Sequence, residues 1–249
     1  MQLYLNDMLK LHRSYIWTVV LGVPFIAVAF GAGNYAANLE TLDQGWDSYW
    51  SQALLFYGML FMSMGIAILT AAVWRVEHRG GNWAPLLTSP RSYAALITSK
   101  LATIMTLTIL MQLVFLVLSI GAGWLTGLSG PPPASLVGAA LFSLIPAVAV
   151  ASWQSLLSMT IRSFAVPIAI GLVASIVAFG VLSSGAPGMQ FVVPQALLTD
   201  TMWLESTAVV YAGALEVGRI LKVLLASIVL ASIAWAGATT YLRRTDARL

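Results

Sequence analysis

The sequence predicts an all-α, polytopic membrane protein with six transmembrane helices, and three observations carry that prediction. Of its 249 residues, 59% are hydrophobic and only 8% are charged, against about 25% charged in soluble domains, so too little polar surface remains to face water. Six long apolar segments recur along the chain, and a helix needs roughly 20 such residues to cross the hydrocarbon. None of the six has a charged residue at its centre. With a mean hydropathy of +0.89 and mostly short loops, residues 1–249 read as one transmembrane domain.

The first element, residues 1–13, is expected to be an interfacial helix. Leu3, Leu5, Met8, Leu9 and Leu11 alternate there with Asn6, Asp7 and Lys10, the pattern of a short amphipathic helix lying in the inner membrane interface. The first span, Tyr15–Ala36, follows Lys10 and Arg13 as a signal peptide would. Its apolar run is too long for a signal h-region and more spans follow, so it reads as a retained helix. Further spans are expected at Tyr49–Trp74, Ile97–Leu125, Leu136–Ile161, Phe164–Leu182 and Leu221–Tyr241. Between the third and fourth, Pro131, Pro132 and Pro133 make Gly127–Ala134 a stiff extended turn.

Two connections are longer. One is Arg75–Lys100, whose core is a coupling segment at residues 75–96; the other is Ser183–Ile220, residues 183–220. Pro187 and Pro194 punctuate the second, and Ala196–Leu198 and Met202–Leu215 are apolar but shorter than a span. Such runs suit a re-entrant or interfacial helical hairpin.

Orientation follows from the basic residues. With the N-terminus inside, Lys10, Arg13, Arg75, Arg79, Arg91, Lys100, Arg162, Arg243, Arg244 and Arg248 are cytoplasmic, and only Arg219 and Lys222 are external, ten against two. Glu40, Asp43, Asp47, Asp200, Glu205 and Glu216 fall outside, while Asp7, Glu77 and Asp246 fall inside. Both termini are therefore expected in the cytoplasm. The net charge of +3 reports this asymmetry rather than a nucleic-acid partner. Acids outside would attract a cationic peptide by long-range steering, although depletion of Lys and Arg there already leaves a surplus of acids.

Several function classes are excluded or weakened. The chain has no cysteine, hence no disulfide and no thiolate metal site. His12 and His78 are its two histidines, and Glu77 beside His78 points elsewhere on a helix, so no metal set forms. Ion-coupled carriers and intramembrane enzymes place ionisable groups at membrane depth, and no span centre carries one. Asn34, Gln112 and Gln154 are the larger polar side chains at depth; interhelical hydrogen bonds are one use for them, a substrate path the other. No Gly-x-x-x-x-Gly-Lys-Ser/Thr run occurs, so no phosphate cradle and no nucleotide cofactor is expected in this chain. A transmembrane machine of this kind takes its driving force from a partner.

One segment carries a function. After charges from Arg75 to Arg79, Gly80 and Gly81 break the helix, and Trp83, Leu86 and Leu87 follow at i, i+3, i+4 spacing until Pro90. A two-turn amphipathic helix of this kind either seeks a groove on another protein or anchors its tryptophan among headgroups. The run Glu77, Gly81-Asn82-Trp83, Leu86-Leu87-Thr88-Ser89-Pro90 and Lys100 resembles the segment between the second and third spans of type-2 ABC transporter permeases. Within that group it looks most like the lantibiotic-immunity and antimicrobial-peptide exporter permeases. Asn82 stands where those often have threonine, and Arg91-Ser92-Tyr93 where smaller or hydrophobic residues are usual.

The resemblance implies that Trp83, Leu86 and Leu87 form a coupling helix that docks on a separate ATPase, flanked by Glu77 and Arg79. The turn around Arg162 would be a minor second contact. It further implies two ATP-binding subunits that hold ATP and magnesium, a second permease, identical or paralogous, and a bacterial plasma membrane. The implied cargo is a peptide antibiotic or other amphiphile. A lipid or polysaccharide exporter, or a non-transporting anchor or sensor subunit, remains open.

The predicted topology is checked with introduced thiols. Asp43→Cys and Glu205→Cys are expected to react with an impermeant maleimide on intact cells, and Asp246→Cys only after lysis. The reverse pattern would overturn the orientation.

Overall fold

The computed structural model of the chain describes residues 2–12, 14–79, 92–207 and 213–246, with side chains to Arg244. It is 81% helix with no strand among the described residues. In chain order the helices are α1 (Gln2–Leu11), α2 (Ile16–Ala37), α3 (Trp46–Phe56), α4 (Met62–His78), α5 (Tyr93–Leu125), α6 (Ala134–Phe142), α7 (Leu144–Thr160), α8 (Ala165–Ser183), α9 (Pro194–Met202) and α10 (Val217–Asp246).

These make six rods long and apolar enough to cross a membrane. Helix α3 runs into α4 through a π-helical turn, Tyr57–Phe61, and α6 runs into α7 past Ser143. The rods Trp46–His78 and Tyr93–Leu125 each have 33 residues, or about 50 Å at 1.5 Å per residue. That exceeds a hydrocarbon thickness of about 30 Å, so their charged ends project beyond it. Within the expected 75–96 segment, α4 continues to His78, as the charged run before Gly80 and Gly81 implies, and α5 begins at Tyr93, where the Ser92 hydroxyl accepts from the Ala95 amide at 3.2 Å.

The rod α3–α4 is the middle of the bundle, with 61% of its apolar window buried against 22% for α8 and for α10. Helices α2, α5 and α7 surround it, and buried Tyr49, Trp50, Leu54, Ile66, Leu69 and Phe115 fill the core between them. Outward-facing Phe25, Phe30, Val173, Ile176, Leu225 and Ile228 are exposed on α2, α8 and α10, where a bilayer would solvate them. Close approach of α2 to α3 depends on Gly31. A Cβ placed there would stand 2.4 Å from the Ala53 Cα, the small-residue contact typical of membrane helix pairs.

Helix α1 forms as expected but lies with an unexpected face inward. Tyr4, Asp7 and Leu11 point at the bundle, and the Tyr4 hydroxyl shares a 3.1 Å hydrogen bond with Thr106. Leu5 and Leu9 point away, Leu9 with 73% exposure. The lipid-facing stripe is apolar as an interfacial helix requires, whereas the protein-facing side carries a buried acid.

The 183–220 segment holds a 3₁₀ turn at Met189–Phe191 and then α9. The expected second helical run, Met202–Leu215, turns back after α9 in its described part. Glu205 has φ 62°, its amide donates to the Gly213 carbonyl at 3.0 Å, and its carboxylate accepts from the Leu215 amide at 2.7 Å. These bonds satisfy the backbone without a helix; residues 208–212 lie outside the described residues.

Gly31→Ala is expected to lower the detergent-solubilised melting temperature by the equivalent of about 1–3 kcal/mol, the usual cost of overpacking. Gly33→Ala is the control, because a Cβ there meets nothing within 4 Å; it should melt no earlier than the parent.

Candidate functional site

Trp83, Leu86 and Leu87 lie outside the described residues, which include the two stems from which that loop springs. The outgoing stem is the last turn of α4, ending at His78 and Arg79; the returning stem is the first turns of α5, up to Lys100. Both helices end in polar, charged residues because their apolar sequence has already spanned the hydrocarbon.

Glu77, expected to flank the contact with a partner, is fully buried. Its Oε1 accepts from Lys100 Nζ at 2.7 Å and from Lys10 Nζ at 3.0 Å. Lys100 also donates to Asp7 Oδ1 at 2.8 Å and stands 5.7 Å from the centroid of the Trp74 ring. The result is a chain of alternating charge, Lys10–Glu77–Lys100–Asp7, two cations and two anions with no net charge. It joins α1, α4 and α5 and clamps both stems of the loop.

The physical reason for Glu77's placement is desolvation. With α1 and α5 packed over the end of α4, its carboxylate has no route to water, and an unpaired buried ion costs several kcal/mol. Lys100 meets the same condition, 1% exposed, so each ion is kept buried by the others. Glu77 Oε2 has no hydrogen-bond partner among the described residues.

The turn that carries Arg162 is fastened to the same place. Arg75 lies 4.6 Å from the centroid of the Phe164 ring, His78 Nε2 donates to the Ser158 carbonyl at 2.8 Å, and Trp74 Nε1 donates to Ser155 Oγ at 2.8 Å. Arg162 itself is exposed, as is Arg79. The outgoing stem and the Arg162 turn, far apart in sequence, therefore form one surface at the basic end of the bundle.

The polar residues at depth are distributed over three different helix pairs. Asn34 Nδ2 donates to Gln52 Oε1 at 2.6 Å, joining α2 to α3. Gln112 Nε2 donates to the Ala140 carbonyl at 2.8 Å, joining α5 to α6. Gln154 Nε2 donates to the Pro167 carbonyl at 2.5 Å, joining α7 to α8. No two of them share a site.

Sequence reasoning missed Lys10 and Lys100 as partners of Glu77, and Asp7 as the second partner of Lys100. One signal was present: Asp7 falls at i+3 from Tyr4 and i−4 from Leu11, on the face that docks. No local signal connects it to Lys100, 93 residues away.

Breaking the chain at one point should be worse than removing it. Glu77→Gln and Lys100→Met are each expected to destabilise by about 3–5 kcal/mol, since each strands a buried charge. The triple variant Asp7→Asn/Glu77→Gln/Lys100→Met should recover much of that loss in detergent melting temperature. A triple variant less stable than either single one would contradict the clamp.

The sequence model of the family described as ABC-2 family transporter protein matches residues 4–178. The match takes in α1, the central rod, both stems, the Arg162 turn and most of α8. No curated protein matches the chain.

Proposed function

The chain belongs to the ABC-2 transporter family, and from that premise we propose that this permease subunit exports a lantibiotic-type antimicrobial peptide or a similar amphiphile. Two separate ATP-binding subunits, holding ATP and magnesium, would drive it, together with a second permease, identical or paralogous. The assembly sits in a bacterial plasma membrane with both termini of this chain in the cytoplasm. Trp83, Leu86 and Leu87 dock in a groove on the ATPase, Arg79 flanks them, and the exposed Arg162 turn makes a second contact.

The observation that supports this reading best is the buried charge chain beneath the loop. A lever transmits force only if its root is stiff. Both stems of 80–91 are rooted in the Glu77–Lys100 pair at 2.7 Å, and the outgoing one also holds the Arg162 turn through Arg75 and Phe164. Closure of the ATPases pushes the loop, and the push enters α4 and α5 together rather than bending one stem. Because α4 is the central helix, its displacement reaches α2, α7 and α8 at once. Cargo drawn from the outer part of the membrane would then be expelled as the two permeases change their separation.

Glu77 on this reading acts indirectly. Its carboxylate positions the stems and does not touch the ATPase, which assigns the contact to Trp83, Leu86, Leu87, Arg79 and Arg162. Asn34, Gln112 and Gln154 on this reading hold helices together, each donating one bond across a helix pair.

The test is reconstitution. The permease alone in proteoliposomes is expected to hydrolyse no ATP, and addition of its cognate ATP-binding subunit should give ATP-dependent release of a labelled lanthionine peptide. Trp83→Ala with Leu87→Ala is expected to leave the permease's melting temperature unchanged while co-purification of the ATPase falls tenfold or more. Buried aromatic and leucine anchors lose about 2 kcal/mol apiece, and 1.4 kcal/mol is a decade. Full co-purification with persistent transport would reduce Trp83 to a headgroup anchor. Coupled transport of a phospholipid or a polysaccharide carrier instead of the peptide would overturn the cargo.

A further inference from the structure

The central rod is not a continuous α-helix. Tyr57–Phe61 forms one turn of π-helix between α3 and α4, an arrangement that places an extra residue in the turn and is frequent where helices do work. This turn is where α9 touches the rod. The Thr199 hydroxyl donates to the Gly58 carbonyl at 2.9 Å, with Thr199 2% exposed. A Cβ on Gly58 would stand 2.8 Å from Met202 Cγ and 3.3 Å from Trp203 Nε1, so the end of α9 sits directly on the backbone of the turn.

The other side of the turn is gripped by α5. The Tyr57 ring stacks on Phe115 with centroids 3.8 Å apart and 4° between planes, and the buried Tyr57 hydroxyl has no hydrogen-bond partner among the described residues. Two further contacts hold the α9 region. The Thr207 amide donates to Ser51 Oγ of α3 at 2.8 Å. Arg219 of α10 donates to both oxygens of Asp200, at 2.5 and 2.7 Å. The same rod thus carries Glu77 at its basic end and the seat of α9 toward its acidic end.

We propose that Thr199 and Gly58 are positioning residues for export: their hydrogen bond is a latch that seats α9 on the π turn, and displacement of α4 releases it. This rests on the reading of the basic end as the ATPase contact. A π turn differs from an α turn by one residue, so absorbing that residue into the α register advances α4 by about 1.5 Å and turns it by about 100°, and displacement of α4 acts directly on this turn. A shift of that kind moves the Gly58 carbonyl away from the Thr199 hydroxyl, while α3 and α10 keep their own grips on the segment. Movement driven at one face of the membrane then appears at the other as unseating of a short helix.

The absence of native cysteine gives a readout that needs no cargo. Leu198, next to Thr199 and fully buried, is replaced in Leu198→Cys, and its reaction with an impermeant maleimide is followed in proteoliposomes. In the permease alone, adding Thr199→Val should raise the labelling rate roughly fivefold, the equilibrium weight of one net hydrogen bond, and Thr199→Ser should restore slow labelling. Unchanged labelling with Thr199→Val, or equal acceleration by Val and Ser, overturns the latch. In the complete complex, trapping with ATP and vanadate should accelerate labelling of Leu198→Cys to the level of the Thr199→Val variant. If Thr199→Val accelerates labelling but ATP and vanadate do not, the latch stands and the coupling reading falls. Should Leu198→Cys fail to fold, Trp203→Cys, 6% exposed in the parent residue, reports the same movement.

Discussion

Burial of Lys100 is the constraint on which the architecture of the basic end of the bundle depends. An ammonium 1% exposed at the end of an apolar helix persists only if anions reach it, and two do: Glu77 from α4 and Asp7 from α1. Meeting that requirement fixes where α1 lies, how far α4 extends and where α5 begins. Each of the three helices would otherwise be free to slide or tilt, since lipid presents the same apolar solvent along most of their length and discriminates poorly between positions. The ions supply the discrimination. Their net contribution to stability is small against a hydrophobic replacement of the same shape, whereas the cost of a wrong register is large.

The same logic in a weaker form runs up the bundle. Helices meet through small residues, as at Gly31 and Ala53, and through single side-chain to carbonyl bonds such as Gln112 to Ala140 and Gln154 to Pro167. Each is modest alone. Collectively they place α3–α4 at the centre, with its basic end rooted in ions and its π turn seated against α9.

Much of this was legible beforehand, and the limits are instructive. The six spans, the interfacial helix and the shortness of α9 were readable because Tyr15–Ala36 or Leu221–Tyr241 announces itself by composition alone. The span ends moved outward, to Trp46–His78 for the second, because a helix does not stop where hydrophobicity stops. Nothing local required Arg75–His78 to leave the helical state, and packing against Phe164 and Ser158 rewards it for continuing. Glu77 was read as part of the loop segment, with its charge reaching into water, yet its side chain is buried. Its partners lie 23 and 67 residues away, and a charge near a loop looks the same in sequence whether it faces water or a lysine.

The sequence by itself determined the class, the number of spans and the charge asymmetry that sets their expected orientation. These are properties of segments, and the free energy of placing a segment in lipid or water is close to a sum over its own residues. The tertiary structure alone decided that Asp7 faces inward, that Lys10, Glu77, Lys100 and Asp7 form one chain, that the Arg162 turn joins the stem of the loop, and that Thr199 meets Gly58. These are properties of pairs, and the hydrogen bonds in them form only when donor and acceptor come within about 3 Å, a distance that no span's own residues encode.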